Sequence, residues 1–180
     1  GTLESVMHGL SSKYDVGRIA GRSIQYTEYQ ADVERHTVIS EILSGSGVRN
    51  EAQQQQILDA AWQEQLDKYL FIKNAKNAGV TVGKAELLDL TTGGNPSPLV
   101  LQSFSGPNGY DPQVLVDFVQ NQIPADETGR LQIYWNYLQN NINTQQYYTK
   151  YGSLFTSSYY LNNLEKAAMV AYNNSSANID

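Results

Sequence analysis

Val16-Gly17-Arg18-Ile19-Ala20-Gly21-Arg22-Ser23-Ile24-Gln25-Tyr26-Thr27-Glu28-Tyr29 changes its structural period part-way along. Val16 to Ala20 reads as a short strand. Gly21-Arg22 follows as a two-residue turn with Gly at the first central position, where a type II′ turn needs φ > 0. Ser23-Ile24-Gln25 returns as a second strand. Strands this short bury too little to stand alone and need helices against one face. Thr27 is placed to start such a helix, because its hydroxyl can accept an orphan backbone N–H. The helix is expected to reach about Leu43, with Tyr29, Val33, His36 and Leu43 near one face. Ser44-Gly45-Ser46-Gly47 then breaks it.

The strongest helical segment follows, over about 50–78. Leu58, Trp62, Leu66, Tyr69 and Ile72 recur at helical spacing, and Gly79 closes the segment as a residue that tolerates φ > 0. Val80-Thr81-Val82 is a short extended linker. Gly83 opens a small helix with Glu86 three residues on, close to a capping box. Gly93-Gly94-Asn95-Pro96-Ser97-Pro98 and Ser105-Gly106-Pro107-Asn108-Gly109 read as loops. Asp111-Pro112 starts a helix with Asp as N-cap and Pro at the first helical position; it carries Val114, Leu115, Phe118 and Val119. A second long helix is expected over about 126–151, with Leu131, Trp135, Leu138 and Ile142 as its stripe and Gly152 as its end. A last helix is expected over about 162–172. The two long helices, each with one apolar face, are expected to pack together. The tail near 177–180 is expected beside the hairpin.

The chain has 180 residues, enough for one domain, and its 41% hydrophobic and 17% charged composition suits a folded core. A net charge of −6 with scattered Lys and Arg argues against a nucleic-acid partner, which calls for a basic stripe. There is no Cys, so thiol chemistry and disulfides are excluded. No run of apolar residues is long enough to span a membrane, and no signal peptide is visible. Both ends read as cut points in a longer polypeptide. Residues 1–15 read as an N-terminal arm or stalk, with the domain proper over 16–180.

Little in the chain resembles a catalytic constellation. The two histidines, His8 and His36, sit in no metal-ligand spacing, so no metal and no cofactor is expected. No Ser lies in a nucleophile elbow. Acidic pairs such as Asp126-Glu127 fall at helix starts, where they complement the helix dipole. The Gly-rich loops lack the Lys-Ser/Thr of a phosphate cradle. The unusual feature is the 13 Tyr. Tyr134, Tyr137, Tyr147, Tyr148, Tyr159 and Tyr160 are the candidate polypeptide-binding residues, since Tyr offers a broad apolar ring, a polar tip and little rotamer entropy to lose. The competing role for each ring is to fill a helix–helix interface.

The order of these segments resembles a known family. Val16 to Ile24 followed by Tyr26-Thr27-Glu28-Tyr29 resembles the opening of SurA-like N-terminal domains. Gly79-Val80-Thr81-Val82-Gly83-Lys84-Ala85-Glu86-Leu87 resembles the segment after their long second helix, with Gly83 where members usually have Ser or Thr. Gly109-Tyr110-Asp111-Pro112 resembles their Gly-Phe-Asp turn into a helix, with Tyr for Phe. Asn162-Asn163-Leu164-Glu165 through Tyr172-Asn173-Asn174 resembles the last helix. The Gly94-Asn95-Pro96-Ser97-Pro98 loop is similar to PpiD-like proteins of the Bacteroidetes branch.

The resemblance implies a mainly α, SurA-like helical chaperone domain with a small N-terminal β-hairpin. It implies a parent protein that is a periplasmic peptidyl-prolyl cis-trans isomerase (rotamase), anchored in the inner membrane by an N-terminal helix outside this stretch. Catalysis there belongs to a parvulin domain absent from this chain, so the fragment itself is expected to be inactive. The implied partners are unfolded or nascent envelope proteins, held without strict sequence. The alternative is an assembly module that mediates homodimerisation.

Overall fold

The computed structural model describes residues 15–47 and 50–159. The expected arm, the helix near 162–172 and the tail near 177–180 lie outside the described residues. The described chain is mostly helical, with a small antiparallel hairpin at its start, as the sequence predicts.

The hairpin comprises β1 (Asp15–Ile19) and β2 (Arg22–Gln25), with Ile19 opposite Arg22. The turn is therefore Ala20-Gly21, one residue earlier than expected. Ala20 has φ 50 and Gly21 φ 81, so both central residues are left-handed and the turn is of the type I′ kind. A register in which Gly takes the second central position leaves Ala20 to bear the strain. Ile19 and Ile24 are both buried beneath the helices.

Helix α1 (Tyr26–Ser44) begins one residue before Thr27, and Gln25 stands at its N-cap without a side-chain cap. Gly45, at φ 68, ends it. Its buried residues are Asp32, His36 and Ile39: of the expected Tyr29, Val33, His36 and Leu43 face only His36 is buried, and Leu43 is largely exposed. Helix α2 (Glu51–Leu66) is capped by Asn50, whose side chain accepts the Gln53 N–H at 2.8 Å. Its buried stripe, Ile57, Ala61 and Gln65, lies one residue before the expected Leu58–Trp62–Leu66. Trp62 is half-buried, edge-on to Tyr29 at 6.1 Å and against Gly17 of the hairpin. A Cβ on Gly17 would meet the indole at 2.8 Å, so only glycine lets strand and ring approach this closely.

The expected long helix over 50–78 is interrupted. A π-turn (Asp67–Phe71) joins α2 to α3 (Ile72–Asn77). The extra residue resets the helical phase. Tyr69 turns to the hairpin, with the Arg22 guanidinium 4.1 Å over its ring, while Phe71 turns to the last described helix. Gly79, at φ 86, follows α3 as predicted.

Helix α4 (Lys84–Thr91) starts at the Gly83 cap, and the Glu86 carboxylate accepts the Gly83 backbone N–H, one half of a capping box. Part of the loop expected at 93–98 is the start of a helix: Ser97 caps α5 (Pro98–Ser103) through the Val100 N–H. The second loop is a minimal hairpin, β3 (Ser105–Gly106) with β4 (Gly109–Tyr110). Asp111 caps α6 (Pro112–Asp117) by accepting the Gln113 N–H at 2.9 Å. A second π-turn (Phe118–Gln122) and the short α7 (Ile123–Ala125) follow.

Helix α8 (Arg130–Tyr159) begins later than Asp126 and runs through Gly152. Asp126 remains outside as an acceptor for Thr128 and for the Leu131 N–H at 2.8 Å. An interior glycine costs only about 1 kcal/mol, too little to stop a helix held by aromatic contacts at Tyr148 and Tyr151. Trp135, Leu138 and Ile142 bury one face of α8 against Val100, Phe104, Leu115 and Phe118. Phe104, Phe118 and Trp135 meet in a triangle of tilted and edge-to-face rings, with centroids 5.2–6.3 Å apart.

The opposite face of α8 meets α1 at Tyr137 and the π-turn at Tyr148. The two long helical segments thus touch mainly at the 67–77 end. The first part of α8, at Arg130 and Tyr137, packs on α1, which also lines α2. The expected direct pairing is replaced by a layered order: hairpin with α1 and α2, then α8, then α4–α6.

Leu138 is almost fully buried in the main core, whereas Leu88 on α4 is 60% exposed. Leu138→Ala is expected to destabilise the domain by about 2–5 kcal/mol. Leu88→Ala is expected to change it by no more than about 0.5 kcal/mol. Urea unfolding followed by tryptophan fluorescence checks both.

Candidate functional site

Helices α1 and α2 are joined by polar side chains on their buried faces. His36 Nε2 lies 2.6 Å from Glu64 Oε2 and donates to it. Arg35 reaches the other Glu64 oxygen at 3.3 Å and also pairs with Asp32 three residues back on its own helix. Asp32 accepts a further bond from the Gln65 amide. Asp32, His36 and Gln65 are all buried. Gln65 Oε1 is buried with no partner among the described residues.

Burial raises the Glu64 carboxyl, but the His36 hydrogen bond and the Arg35 charge outweigh it, and the group is held below its ordinary value. Neither the i, i+4 pattern nor composition points to this network. His36 is on the α1 face that the sequence expects, but Asp32 on α1 and Gln65 on α2 take buried positions where apolar residues are expected.

Beside this network an open groove runs between α1, α2 and α8. Its larger lobe, 350 Å³, is lined by Ile39, Leu43, Ile57, Gln53, Gln56 and the ring of His36. A smaller lobe, 210 Å³, is bordered by Arg35, Glu64, Ile133, Asn136 and Asn140. Ile39 and Tyr137 border both lobes. Tyr137 is held edge-on to the His36 imidazole, centroids 6.1 Å apart. Aliphatic side chains and planar amides therefore share one concave surface, a lining suited to apolar side chains and peptide groups together.

The candidate tyrosines are spread over α8. Tyr137 borders the groove, while Tyr134 is half-buried against the main core. Tyr147 is buried and its hydroxyl accepts the Val82 N–H at 3.3 Å, fastening the 80–83 linker to α8. Lys150 adds to that fastening through Thr81 O at 2.8 Å and Glu86 at 2.6 Å. Tyr148 is 44% exposed and stacks on Phe71 at 3.7 Å. Its hydroxyl donates to Asp67 at 2.7 Å, and burial together with that carboxylate pushes the phenol up to about 12. Tyr159 is the last described residue of α8, and Tyr160 lies outside the described residues. Of Tyr134, Tyr137, Tyr147 and Tyr148, Tyr137 is the one that lines the groove. Its other aliphatic and amide residues were not singled out in the sequence.

Among the described residues no group of His, Asp and Glu is placed to hold a metal ion, and no helix is long and apolar enough to cross a membrane.

Glu64 has a depressed folded-state value, so its contribution to stability is present above the ordinary carboxyl value of 4.5 and is lost as pH falls through the folded value. The urea midpoint of the native domain is therefore expected to fall more steeply below about pH 4.5 than that of Glu64→Gln. Parallel slopes for the two proteins would remove Glu64 from the acid sensitivity.

Comparison with known proteins bears on the first part of the chain. A family model described as the SurA-like N-terminal domain matches residues 2–119. The match takes in the hairpin and α1 to α6 and stops inside the second π-turn, before α8 begins. No curated protein and no solved structure matches the chain. The match covers well over half of the sequence and agrees with the hairpin-then-helices order, so this chain belongs to the SurA-like N-terminal domain family, whose domains are chaperone-like modules of periplasmic peptidyl-prolyl isomerases and bind unfolded proteins.

Proposed function

We propose that this chain is a non-catalytic polypeptide-holding domain of a PpiD-like peptidyl-prolyl isomerase of the Bacteroidetes type. The parent protein is anchored in the inner membrane and faces the periplasm, and its clients are unfolded or nascent envelope proteins. The observation that carries this reading is the open groove between α1, α2 and α8, where Ile39, Leu43, Ile57 and Tyr137 stand beside the amides of Gln56, Asn136 and Asn140. Extended polypeptide presents apolar side chains and unpaired peptide groups together, and such a surface answers both without demanding a sequence. The loop Gly94-Asn95-Pro96-Ser97-Pro98 supports the PpiD-like assignment.

Holding is distinct from isomerisation. The barrier to prolyl rotation is about 18–20 kcal/mol, and lowering it requires tighter binding of the twisted bond than of either isomer. The groove is open and borders solvent, which suits transient contact with a ground-state chain.

The domain is expected to slow aggregation of a chemically unfolded outer-membrane protein in proportion to its concentration. It is expected to leave the cis–trans exchange of an Xaa-Pro peptide at the uncatalysed rate, even in stoichiometric excess. A saturable acceleration that survives repurification would reveal an active site and overturn the non-catalytic reading. No suppression of aggregation at any ratio, together with a concentration-dependent dimer in light scattering, would favour the assembly-module alternative.

A further inference from the structure

Among the described residues, each charged side chain that lines the groove between α1, α2 and α8 already has a partner. Apart from the Tyr137 phenol, the ionisable side chain lining its larger lobe among the described residues is His36, whose Nε2 is committed to Glu64 at 2.6 Å. The smaller lobe is bordered by Arg35 and Glu64, which bond each other at 3.3 Å. Arg35 is held a second time by Asp32. The nearby α1–α8 contact is matched too, with Arg130 on Glu41 at 3.0 Å. The rest of the lining is aliphatic side chains, small hydroxyl groups, the Tyr137 ring and amides.

We propose that this groove selects extended polypeptide segments that carry no ionised side chain, and rejects segments that place a Lys or an Asp within it. The inference rests on the polypeptide-holding reading and adds the class of segment held. An ionised side chain entering the groove loses part of its water and meets only charges already committed. An incoming carboxylate at Arg35 competes with Asp32 and Glu64, which already hold the guanidinium, and a displaced, partly buried carboxylate is costly. An incoming ammonium meets the same obstacle at Glu64, which already accepts from His36 and Arg35. A neutral segment meets no such penalty. Its peptide groups face amides that offer a donor and an acceptor each, and its aliphatic side chains face Ile39, Ile57 and Leu43. The overall charge of −6 draws basic chains to the surface in general, but that attraction is long-ranged and is screened by salt.

The test uses the intact domain and three short fluorescent peptides, blocked at both ends. One is built from Leu, Val, Ser and Gln; the others carry a central Lys or a central Asp. Binding is read by anisotropy at low and high salt. The neutral peptide is expected to bind with an affinity that salt does not change. Both charged peptides are expected to bind at least about tenfold more weakly at high salt. Two variants locate the effect. Leu43 is 62% exposed at the groove mouth and Gln56 is exposed, so Leu43→Glu and Gln56→Glu leave the core untouched. Each is expected to weaken the neutral peptide, and Gln56→Glu to raise the affinity for the Lys peptide above its native value.

Equal or tighter binding of a charged peptide by the native domain at high salt would overturn the selectivity. A neutral peptide indifferent to both variants, in a domain that still suppresses aggregation, would place holding elsewhere and sink the groove while the broader reading stands. No binding of any peptide and no suppression of aggregation would remove both.

Discussion

Helix α8 has to be buried on two opposite sides at once, and the rest of the arrangement follows from that requirement. Trp135, Leu138 and Ile142 lie on one side and close the main core with α5 and α6. Tyr137, Tyr148 and Tyr151 lie roughly 110–170° around the helix from them, at 100° per residue. They meet His36 on α1 and Phe71 at the π-turn. The two sides differ in chemistry. The first is aliphatic and aromatic without polar atoms except the indole N–H. The second is mostly tyrosine, each ring packing through its face or edge while its hydroxyl reaches a polar partner or water. A helix sandwiched in this way keeps the Trp135–Leu138–Ile142 stripe by which the sequence reveals it and adds a second, tyrosine-rich side. Its length, about 45 Å at 1.5 Å per residue, lets it serve both layers, with the hairpin side at one face and α4–α6 at the other.

The layer formed by the hairpin, α1 and α2 is held by a different balance. Its apolar content is modest: Ile19, Ile24, Ile39, Ile57 and Ala61. Between α1 and α2 the buried positions that would complete it are Asp32, His36 and Gln65. Each buried polar group has to be satisfied or it costs more than an apolar residue would. The network meets that condition for Asp32 and His36 by recruiting Arg35 and Glu64 from the helix flanks. Such a network fixes the register of α1 on α2 more sharply than aliphatic packing does, because sliding either helix by one residue would part Glu64 from Arg35 and His36 and Gln65 from Asp32. It also fixes the shape of the groove, since His36 lines one lobe, Glu64 borders the other, and Tyr137 rests its ring against the imidazole.

The legible parts of the fold were those set by local chemistry. The hairpin followed from its alternating strands, and Asp111-Pro112 from the cap-and-proline pair. The end of α3 at Gly79 followed from the need for φ > 0. Thr27 and Gly152 show where local signals yield. A hydroxyl one residue into α1 makes no cap because the strand already delivers the chain in extended geometry at Gln25. A glycine in α8 does not end a helix whose Tyr148 and Tyr151 are packed just before it. The π-turns left no mark in composition, for they depend on which element each side chain must reach once the layers have assembled. The same holds for the groove. Its tyrosine was among those the sequence suggested, but the isoleucines and amides around it have no local signature. They become a site only where α1, α2 and α8 converge.

That convergence crosses the edge of the family resemblance. Helices α1 and α2 lie inside the matched stretch, whereas α8, which supplies Tyr137, Asn136 and Asn140, lies beyond it. The floor of the groove is thus built from the family's shared part and one wall from a helix that the family pattern does not describe. The charged groups at the groove already hold α1 to α2, so a ligand has to compete for them. Any discrimination it makes has to come from shape, from amide hydrogen bonds and from the penalty on introducing charge. The shared network therefore bears on the breadth of the groove's specificity, while substitutions along α8 can change the width and polarity of the wall without disturbing the ion pairs beneath it.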